Sequence, residues 1–158
     1  MRRTRFDRAP CPIARTTDLI GDWWTPIVLR EAFLGCRRFE EFQERLGVSR
    51  ATLTQRLNRL AREGLLERVA YQERPTRHEY RLTKKGRAFF DVLAAMWRWG
   101  EDWLFEGRGA PVTLTDRESG ADVRPVVVDE ATGRPLATIR LGVRLGGKGP
   151  QRSEIDSA

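Results

Sequence analysis

The chain has 158 residues, 40% hydrophobic and 32% charged, which suits one compact domain with a short additional segment and excludes two full domains. Its net charge of +7 is concentrated in residues 1–100, which hold 21 basic and 12 acidic side chains, so a polyanionic partner is predicted, with nucleic acid favoured over an anionic membrane surface. Because the sequence has no run of 18 apolar residues and no apolar signal stretch, we expect a cytoplasmic protein without a membrane partner.

Apolar residues at helical spacing predict four helices between residues 12 and 63. Pro12 begins the first helix, and a glycine follows each of the four helix ends, where glycine is favoured. Ser49 is a good N-cap for the fourth helix. The third and fourth helices, joined by a turn that contains Gly47, predict a helix-turn-helix. The four helices are placed at about residues 12–20, 24–34, 39–46 and 50–63.

After the fourth helix the apolar spacing predicts a β-hairpin with a basic tip, made of strands at residues 66–71 and 79–82 and a connection at residues 72–78. One last helix is predicted from its N-cap Thr83 through Phe105, a stretch that contains no proline. This helix is apolar on two sides, which is more apolar surface than one small domain needs to cover. It therefore predicts a partner chain.

Beyond Gly107, turns are predicted at Ser119-Gly120 and Thr132-Gly133, between short strands at residues 112–115, 123–128 and 137–143. The predicted fold is mainly α with a small β-hairpin wing, a winged helix-turn-helix, followed by a small β-rich C-terminal extension. The predicted parts are a winged helix-turn-helix DNA-binding and dimerisation domain at residues 10–106, a β-hairpin extension without metal ligands at residues 107–147, and a disordered tail at residues 148–158.

The fourth helix has the pattern of a DNA recognition helix. Leucines occupy one side, while Thr52, Gln55 and Arg59 lie on the opposite arc, from which Gln and Arg side chains can reach base edges. Arg50 and Arg56 are placed for phosphate contact. The alternative is a solvated amphipathic face, but the preceding turn and the following basic hairpin favour DNA. The predicted DNA-binding residues are Arg37, Arg38, Ser49, Arg50, Thr52, Gln55, Arg56, Arg59, Arg74, Thr76, Arg77 and Lys84.

At the hairpin tip, Arg74 and Arg77 are expected to reach a minor groove or the adjoining phosphates. His78 can equally pair with Glu79 or respond to pH.

No catalytic or metal-binding set is found in the sequence. Cys11, Cys36 and His78 are too few for a structural zinc site, and neither a Gly-rich phosphate loop nor a Ser-His-Asp set occurs. Asp22 and Glu31 fit helix capping and ion pairing. We therefore expect neither a cofactor nor an enzymatic activity.

An ordered string of motifs covers about residues 10–105. The motifs are Cys11-Pro12, Gly21-Asp22-Trp23-Trp24-Thr25, Leu29-Arg30-Glu31, Gly35, Arg37-Arg38-Phe39, Leu53-Thr54-Gln55-Arg56-Leu57, Leu60, Gly64-Leu65, Glu79-Tyr80-Arg81-Leu82-Thr83 and Gly86. In these motifs the chain resembles the HxlR family of bacterial winged-helix regulators. The resemblance implies a cytoplasmic homodimer that binds operator DNA, with the first and last helices forming the dimer interface.

The resemblance also implies that Cys11 aligns with a cysteine that senses electrophiles or oxidants in some members. Its position near a helix N-terminus, with Arg8 and Arg15 close in sequence, favours the thiolate. The alternative is a small buried or capping residue, and Cys36 is interpreted as incidental.

Large apolar residues, most of them aromatic, cluster near the first and last helices and are interpreted as the dimer interface, as an effector pocket, or as core packing. These candidates are Trp23, Trp24, Phe89, Leu93, Met96, Trp97, Trp99 and Trp103. The segment 109–147 resembles the C-terminal extension of some longer HxlR members, whose ribbon-like turns carry Cys and His. In this chain Glu118-Ser119-Gly120 and Ala131-Thr132-Gly133 occupy those turns, so the expected small sheet is metal-free and extends the dimer or covers a ligand pocket.

The predicted function is that of a dimeric winged helix-turn-helix transcription factor, a repressor, whose two recognition helices enter successive major grooves of a pseudo-palindromic site. A response to a small molecule or to thiol oxidation is compatible with this function. The alternative is a protein-interaction module that does not recognise DNA, for which the charged hairpin tip offers no apolar patch.

Overall fold

The structure is a computed structural model that describes residues 6–143 and the backbone of residues 153–154. The chain divides into two compact units, Met1–Leu93 and Ala94–Ala158. The elements of the first part are α1 (Pro12–Ile20), α2 (Trp24–Phe33), α3 (Phe39–Leu46), α4 (Arg50–Arg62), β1 (Leu66–Glu73), β2 (Thr76–Leu82), α5 (Lys84–Ala88) and α6 (Phe90–Trp103).

The core of the first unit lies between α2, α3, α4 and the start of β1. Each of these elements contributes fully buried apolar side chains, among them Leu29, Phe42, Leu53, Leu57 and Leu66. Their spacing on α4 is the predicted leucine stripe. The four predicted helices and the helix-turn-helix are confirmed.

The turn between α3 and α4 has the predicted chemistry. Gly47 ends α3 in a left-handed conformation with φ of 62°. Ser49 N-caps α4, because its hydroxyl accepts a hydrogen bond from the backbone N–H of Thr52 at 3.2 Å.

The hairpin β1–β2 is antiparallel, with Leu66 opposite Leu82 and Glu73 opposite Thr76. Its strands are longer than predicted, so the tip is only Arg74 and Pro75. A hydrogen bond of 2.7 Å from the N–H of Tyr80 to the carbonyl of Arg37 joins the segment before α3 to β2. This contact positions the start of α3 beside the wing and confirms the winged helix-turn-helix.

The prediction of one uninterrupted last helix is wrong, because the helix breaks at Phe89. At this break two backbone hydrogen bonds span three residues, as in a 3-10 helix, and not four. The N–H of Phe89 donates to the carbonyl of Gly86, and the N–H of Val92 donates to the carbonyl of Phe89. The break has a packing reason, since Phe89 is only 7% exposed and belongs to the core. By contrast, α6 contains no buried residue.

In the second unit the two predicted turns are present. Of the three predicted strands, those at residues 112–115 and 123–128 are not formed, and the one at residues 137–143 is reduced to its last two residues. Asp116 and Asp129 each accept a hydrogen bond from the backbone of the glycine four residues later. Only single β-bridges flank the turns, Thr115 with Asp122 and Val128 with Pro135. Proline at 125 and 135 removes backbone donors that a sheet would need, and a 3-10 turn follows at Leu136–Thr138.

A short pair of strands, β3 (Gly142–Val143) and β4 (Ser153–Glu154), is also present in this unit. The strand β4 lies in the segment predicted to be disordered, and the other residues of that segment are outside the described residues.

The extension contacts the end of α6 through Asp102. Its carboxylate accepts hydrogen bonds from Arg98, at 2.6 Å, and from Arg124 of the extension, at 2.7 Å. These contacts hold the pKa of Asp102 below its usual range, chiefly through the bond from Arg98. In residues 6–143, none of the helices has the length and apolarity needed to cross a bilayer.

Candidate nucleic-acid interface

The N-terminal half of α4 presents the polar residues that the sequence predicts for base contact. Arg50 and Gln55 are exposed, and Thr52 is half-buried between them. Ser49 bonds to Thr52 through both the backbone N–H and the hydroxyl of that residue, so its side chain caps the helix. The accessible groups for base contact in this half of the helix are therefore Thr52 and Gln55, with Arg50 at its start.

Two of the later arginines of α4, Arg56 and Arg59, do not face outward. The Nη1 atom of Arg59 donates to Oδ2 of Asp22 at 3.0 Å, and its Nη2 atom donates to the carbonyl of Asp18 at 2.7 Å. Nη1 of Arg56 lies 3.3 Å from the same Oδ2. The guanidinium groups are thus directed at the α1–α2 connection. The predicted roles of Arg59 in base contact and of Arg56 in phosphate contact do not fit this geometry.

For Asp22 the sequence predicted helix capping and ion pairing, but it did not predict the partners on α4. Its Oδ1 atom accepts hydrogen bonds from the backbone of Trp24, at 3.0 Å, and of Thr25, at 2.9 Å, and so caps α2. An Asp just before a helix is a recognisable cap signal, and capping was predicted. Its partners on α4 are separated from it by more than 30 residues and only the tertiary fold brings them together.

Two arginines beside the wing are held against aromatic rings. The guanidinium of Arg38 lies 4.7 Å from the ring centre of Tyr71, and that of Arg50 lies 4.8 Å from the ring centre of Phe39. Stacking of this kind restrains the side chains while leaving their charge accessible. Both arginines were predicted as DNA contacts, whereas the supporting role of Tyr71 was not.

These arginines line an open cleft of about 640 Å³ between the start of α3, the start of α4 and the wing. The cleft also contains Arg68, whose Nη2 atom lies 3.1 Å from Nδ1 of His78. Arg68 was not predicted, because only the register of the hairpin, with Ala70 opposite His78, brings the two side chains together. The residues that line the cleft are Arg38, Phe39, Glu40, Glu41, Arg50, Arg68, Tyr71, Thr76, Arg77, His78 and Tyr80.

Glu41 in this cleft orients the segment before α3. Its Oε2 atom accepts hydrogen bonds from the backbone N–H of Arg37, at 2.8 Å, and of Arg38, at 3.0 Å. These bonds lower the pKa of the Glu41 carboxyl. The backbone at the start of α3 is thereby fixed, while the side chains of Arg37 and Arg38 remain exposed.

The remaining predicted contacts lie on the surface. Arg74, Thr76 and Arg77 are exposed at the end of the hairpin, and the hydroxyl of Thr76 donates to the carbonyl of Glu73 at 3.0 Å. Lys84 is exposed at the start of α5. The basic residues of the wing and of the start of α4 therefore form a charged, accessible surface.

The candidate residues for a dimer interface or an effector pocket divide into buried and exposed side chains. Phe89 is buried in the core, and Leu93 packs against it. Trp23 is 92% exposed, and Trp24 and Trp97 are half-buried. Met96, Trp99 and Trp103 are exposed on α6.

The two cysteines lie in opposite environments. Cys11 is exposed at the N-cap position of α1, and its thiol is free. Cys36 is buried, and burial raises the pKa of its thiol, with Arg45 acting in the opposite direction. Burial and a raised pKa make Cys36 the less reactive thiol.

Comparison with known proteins supports the resemblance seen in the sequence. Residues 19–108, more than half of the chain, match the HxlR-like helix-turn-helix family. The uncharacterized HTH-type transcriptional regulator Rv3095 of Mycobacterium tuberculosis is 40% identical over 124 residues, which cover 78% of each protein.

Solved structures of transcriptional regulators are also similar to this chain. The crystal structure of PA1607 is similar with a TM-score of 0.76 and 43% identity, over 85% of this chain and 94% of PA1607. The reduced form of the redox regulator HypR is similar with a TM-score of 0.54 and 32% identity, over 58% of this chain and 92% of HypR. The prediction that the chain is not an enzyme is confirmed, because the family and its relatives are transcriptional regulators. The chain belongs to the HxlR-like helix-turn-helix family and is a transcriptional regulator.

Proposed function

We propose that this regulator binds double-stranded DNA as a homodimer, with α4 in the major groove and the wing on the adjoining backbone, and that it acts as a repressor on a pseudo-palindromic operator. The observation that carries the proposal is the polar face of α4, with Gln55 exposed and Thr52 half-buried, and with exposed Arg50 at the start of the helix beside the basic cleft. Gln55 can form a bidentate contact to a base edge, and Arg50 can contact a phosphate.

The charge around α4 supports a polyanionic partner. Arg38, Arg50, Arg68 and Arg77 line one cleft together with two glutamates, and Arg74 extends the positive surface to the wing tip. Glu41 is already engaged by two backbone N–H groups. The unsatisfied positive charge of this surface suits the phosphates of a duplex, and the charged tip does not suit a protein partner that needs an apolar patch.

A second copy of the chain is proposed as the partner of α1 and α6. Ile13 on α1 is 77% exposed, and Trp103 on α6 is 72% exposed. Apolar side chains of this size on a surface mark interaction sites. Two recognition helices in one dimer would then match the two halves of a pseudo-palindromic operator.

Thiol oxidation is the proposed stimulus in preference to an apolar ligand. HypR is described in reduced and oxidized forms as a redox regulator, and Cys11 of this chain is exposed. Titration with a mild oxidant tests this part: DNA affinity should change in the wild-type protein and not in Cys11→Ser, and an equal response of both proteins would contradict it.

The main test is selection of duplexes from a random library with the full chain, followed by binding assays on variants. Gln55→Ala should reduce discrimination by about 1–3 kcal/mol at one base pair of each half-site, because a base contact is lost. Arg50→Ala should instead weaken binding to all duplexes alike.

Thr54→Ala is the matched control, since the Thr54 hydroxyl already donates to the carbonyl of Arg50 at 2.8 Å. Failure of the wild-type chain to enrich any sequence would contradict the proposed function.

A further inference from the structure

The carboxylate of Asp22 connects α4 to the start of α2. Besides capping α2, its Oδ2 atom accepts a hydrogen bond from the hydroxyl of Thr25 at 2.8 Å and faces Nη1 of Arg56 and Nη1 of Arg59. The Thr25 side chain is itself buried. One carboxylate therefore caps the first turn of α2 and pairs with two cations of α4 at once.

The two arginines lie on the same helix face as the proposed base contacts. Arg56 follows Thr52 by four residues, and Arg59 follows Gln55 by four residues. Residues four apart on a helix are neighbours on its surface. The contacts with Asp22 therefore fix the rotation of α4 one turn beyond the residues that would enter the groove.

Both ion pairs are largely shielded from water. The side chains of Arg56 and Arg59 are 21% and 18% exposed, and that of Asp22 is 11% exposed. Removing the carboxylate would leave two guanidinium groups of the same sign close together and partly desolvated. Such groups are driven outward to water or to an anion, and next to α4 the anion at hand is a DNA phosphate.

We propose that Asp22 is a specificity-determining residue of this regulator: it holds Arg56 and Arg59 away from the DNA backbone and fixes the face of α4 that presents Thr52 and Gln55. The inference rests on the proposed DNA binding. An exposed arginine contributes sequence-independent affinity, whereas contact with base edges contributes discrimination. Asp22 thus raises the ratio of specific to non-specific binding without touching DNA itself.

The test is Asp22→Asn in the full chain, measured on the selected duplex and on a scrambled duplex of equal length. Asparagine keeps an oxygen that can cap α2, but it removes the charge that holds the two arginines. Affinity for the scrambled duplex should rise about tenfold at low salt, and the slope of log affinity against log salt should steepen by about one to two units. The ratio of the two affinities should fall.

A triple variant separates this role from a merely structural one. Adding Arg56→Met and Arg59→Met to Asp22→Asn should return the scrambled-duplex affinity and the salt slope to wild-type values, because the released cations are gone. Loss of general stability would not be reversed in this way. An unchanged affinity ratio in folded Asp22→Asn, or no reversal in the triple variant, would overturn the inference.

If Asp22→Asn does not fold, a double variant that keeps Asp22, Arg56→Met with Arg59→Met, shows whether the two arginines contact phosphates in the wild-type protein. Its salt slope should equal that of the wild type, since neither arginine contacts phosphate. A slope lower by about two units would show that both do, and would overturn the inference. These outcomes differ from failure of the proposed function, in which the wild-type chain does not discriminate between the two duplexes.

Discussion

The carbonyl oxygen of Leu65 occupies the space that a side chain at Gly86 would need. A Cβ atom built on this buried glycine would overlap that oxygen and would lie 3.1 Å from Cδ2 of Leu82. The close approach is held by Thr83, whose hydroxyl donates to the carbonyl of Gly64 at 2.6 Å and accepts from the N–H of Gly86 at 3.0 Å. The start of α5 is thereby fixed against the connection between α4 and β1.

Gly86→Ala should therefore lower the free energy of unfolding by about 1–3 kcal/mol, the usual cost of forcing extra volume into a packed site. Urea unfolding followed by circular dichroism measures the change. Gly100→Ala is the matched control, because a Cβ there meets Cδ1 of Leu104 at an ordinary 3.9 Å. That change should stabilise α6 by about 0.5–1 kcal/mol. Equal effects of the two substitutions would contradict the role of the Leu65 contact.

The wing tip should contribute affinity without discrimination. Arg74→Ala and Arg77→Ala each remove one exposed cation, so each should weaken binding to selected and scrambled duplexes equally and reduce the salt slope by about one unit. Fluorescence anisotropy at several salt concentrations measures both quantities. Arg117→Ala, in an exposed turn of the second unit, should change neither. A loss confined to the selected duplex would instead assign base contact to the tip.

Glu41 should make stability depend on pH. Its two backbone hydrogen bonds lower the pKa of the folded protein below the ordinary value of 4.5, so the folded state is favoured when the carboxyl is ionised. Compared with Glu41→Gln, the wild type should be more stable by about 0.3–1 kcal/mol above about pH 5.5, a contribution of the charge at the start of α3. This difference should disappear as the pH falls through the folded pKa.

Thermal unfolding between about pH 3 and pH 7 checks the expected dependence. Glu44→Gln provides the control, since this exposed glutamate lies near the other end of α3. A pH-independent difference between the wild type and Glu41→Gln would show that the carboxylate charge is not the cause.

The exposed face of α6 predicts the oligomeric state. Trp103→Glu and Trp99→Glu place a charge on a surface that we propose to be covered by the second copy, so each should shift the protein toward a monomer. Sedimentation velocity measures the shift. Val126→Glu, an equally drastic change at an exposed apolar residue of the extension, tests whether the effect is confined to α6. A wild-type chain that sediments as a monomer at all concentrations would contradict the proposed dimer.

The two thiols should react at very different rates. At pH 8, N-ethylmaleimide should label Cys11 rapidly in the folded protein and Cys36 only slowly, because Cys36 is buried and its thiol pKa is raised. Mass spectrometry after timed quenching measures both rates. In Cys11→Ser the fast phase should be absent, and in urea Cys36 should react at the rate of an ordinary thiol. Rapid labelling of Cys36 in the native state would contradict its burial.

Local patterns in the sequence were sufficient for the first four helices and the hairpin, but not for the break of the last helix at Phe89. The glycine after each helix, the cap at Ser49 and the leucine spacing of α4 act over a few residues, and the structure confirms the helices and the hairpin that they predict. The same patterns did not predict the structure of the extension. Its short apolar runs resemble strands, but its prolines and the turns around Asp116 and Asp129 leave too few backbone donors for a sheet.

The sequence by itself determined the helix-turn-helix, the basic wing and the membership of the family, because each depends on spacing along the chain. Only the tertiary structure decided which arginines of α4 are accessible. A helical wheel places Arg59 on the outer arc with Gln55, but a side chain long enough to reach a base can equally reach back to a carboxylate. Asp22, folded beside α4 from a distant part of the chain, provides that carboxylate, and no periodic pattern contains its position.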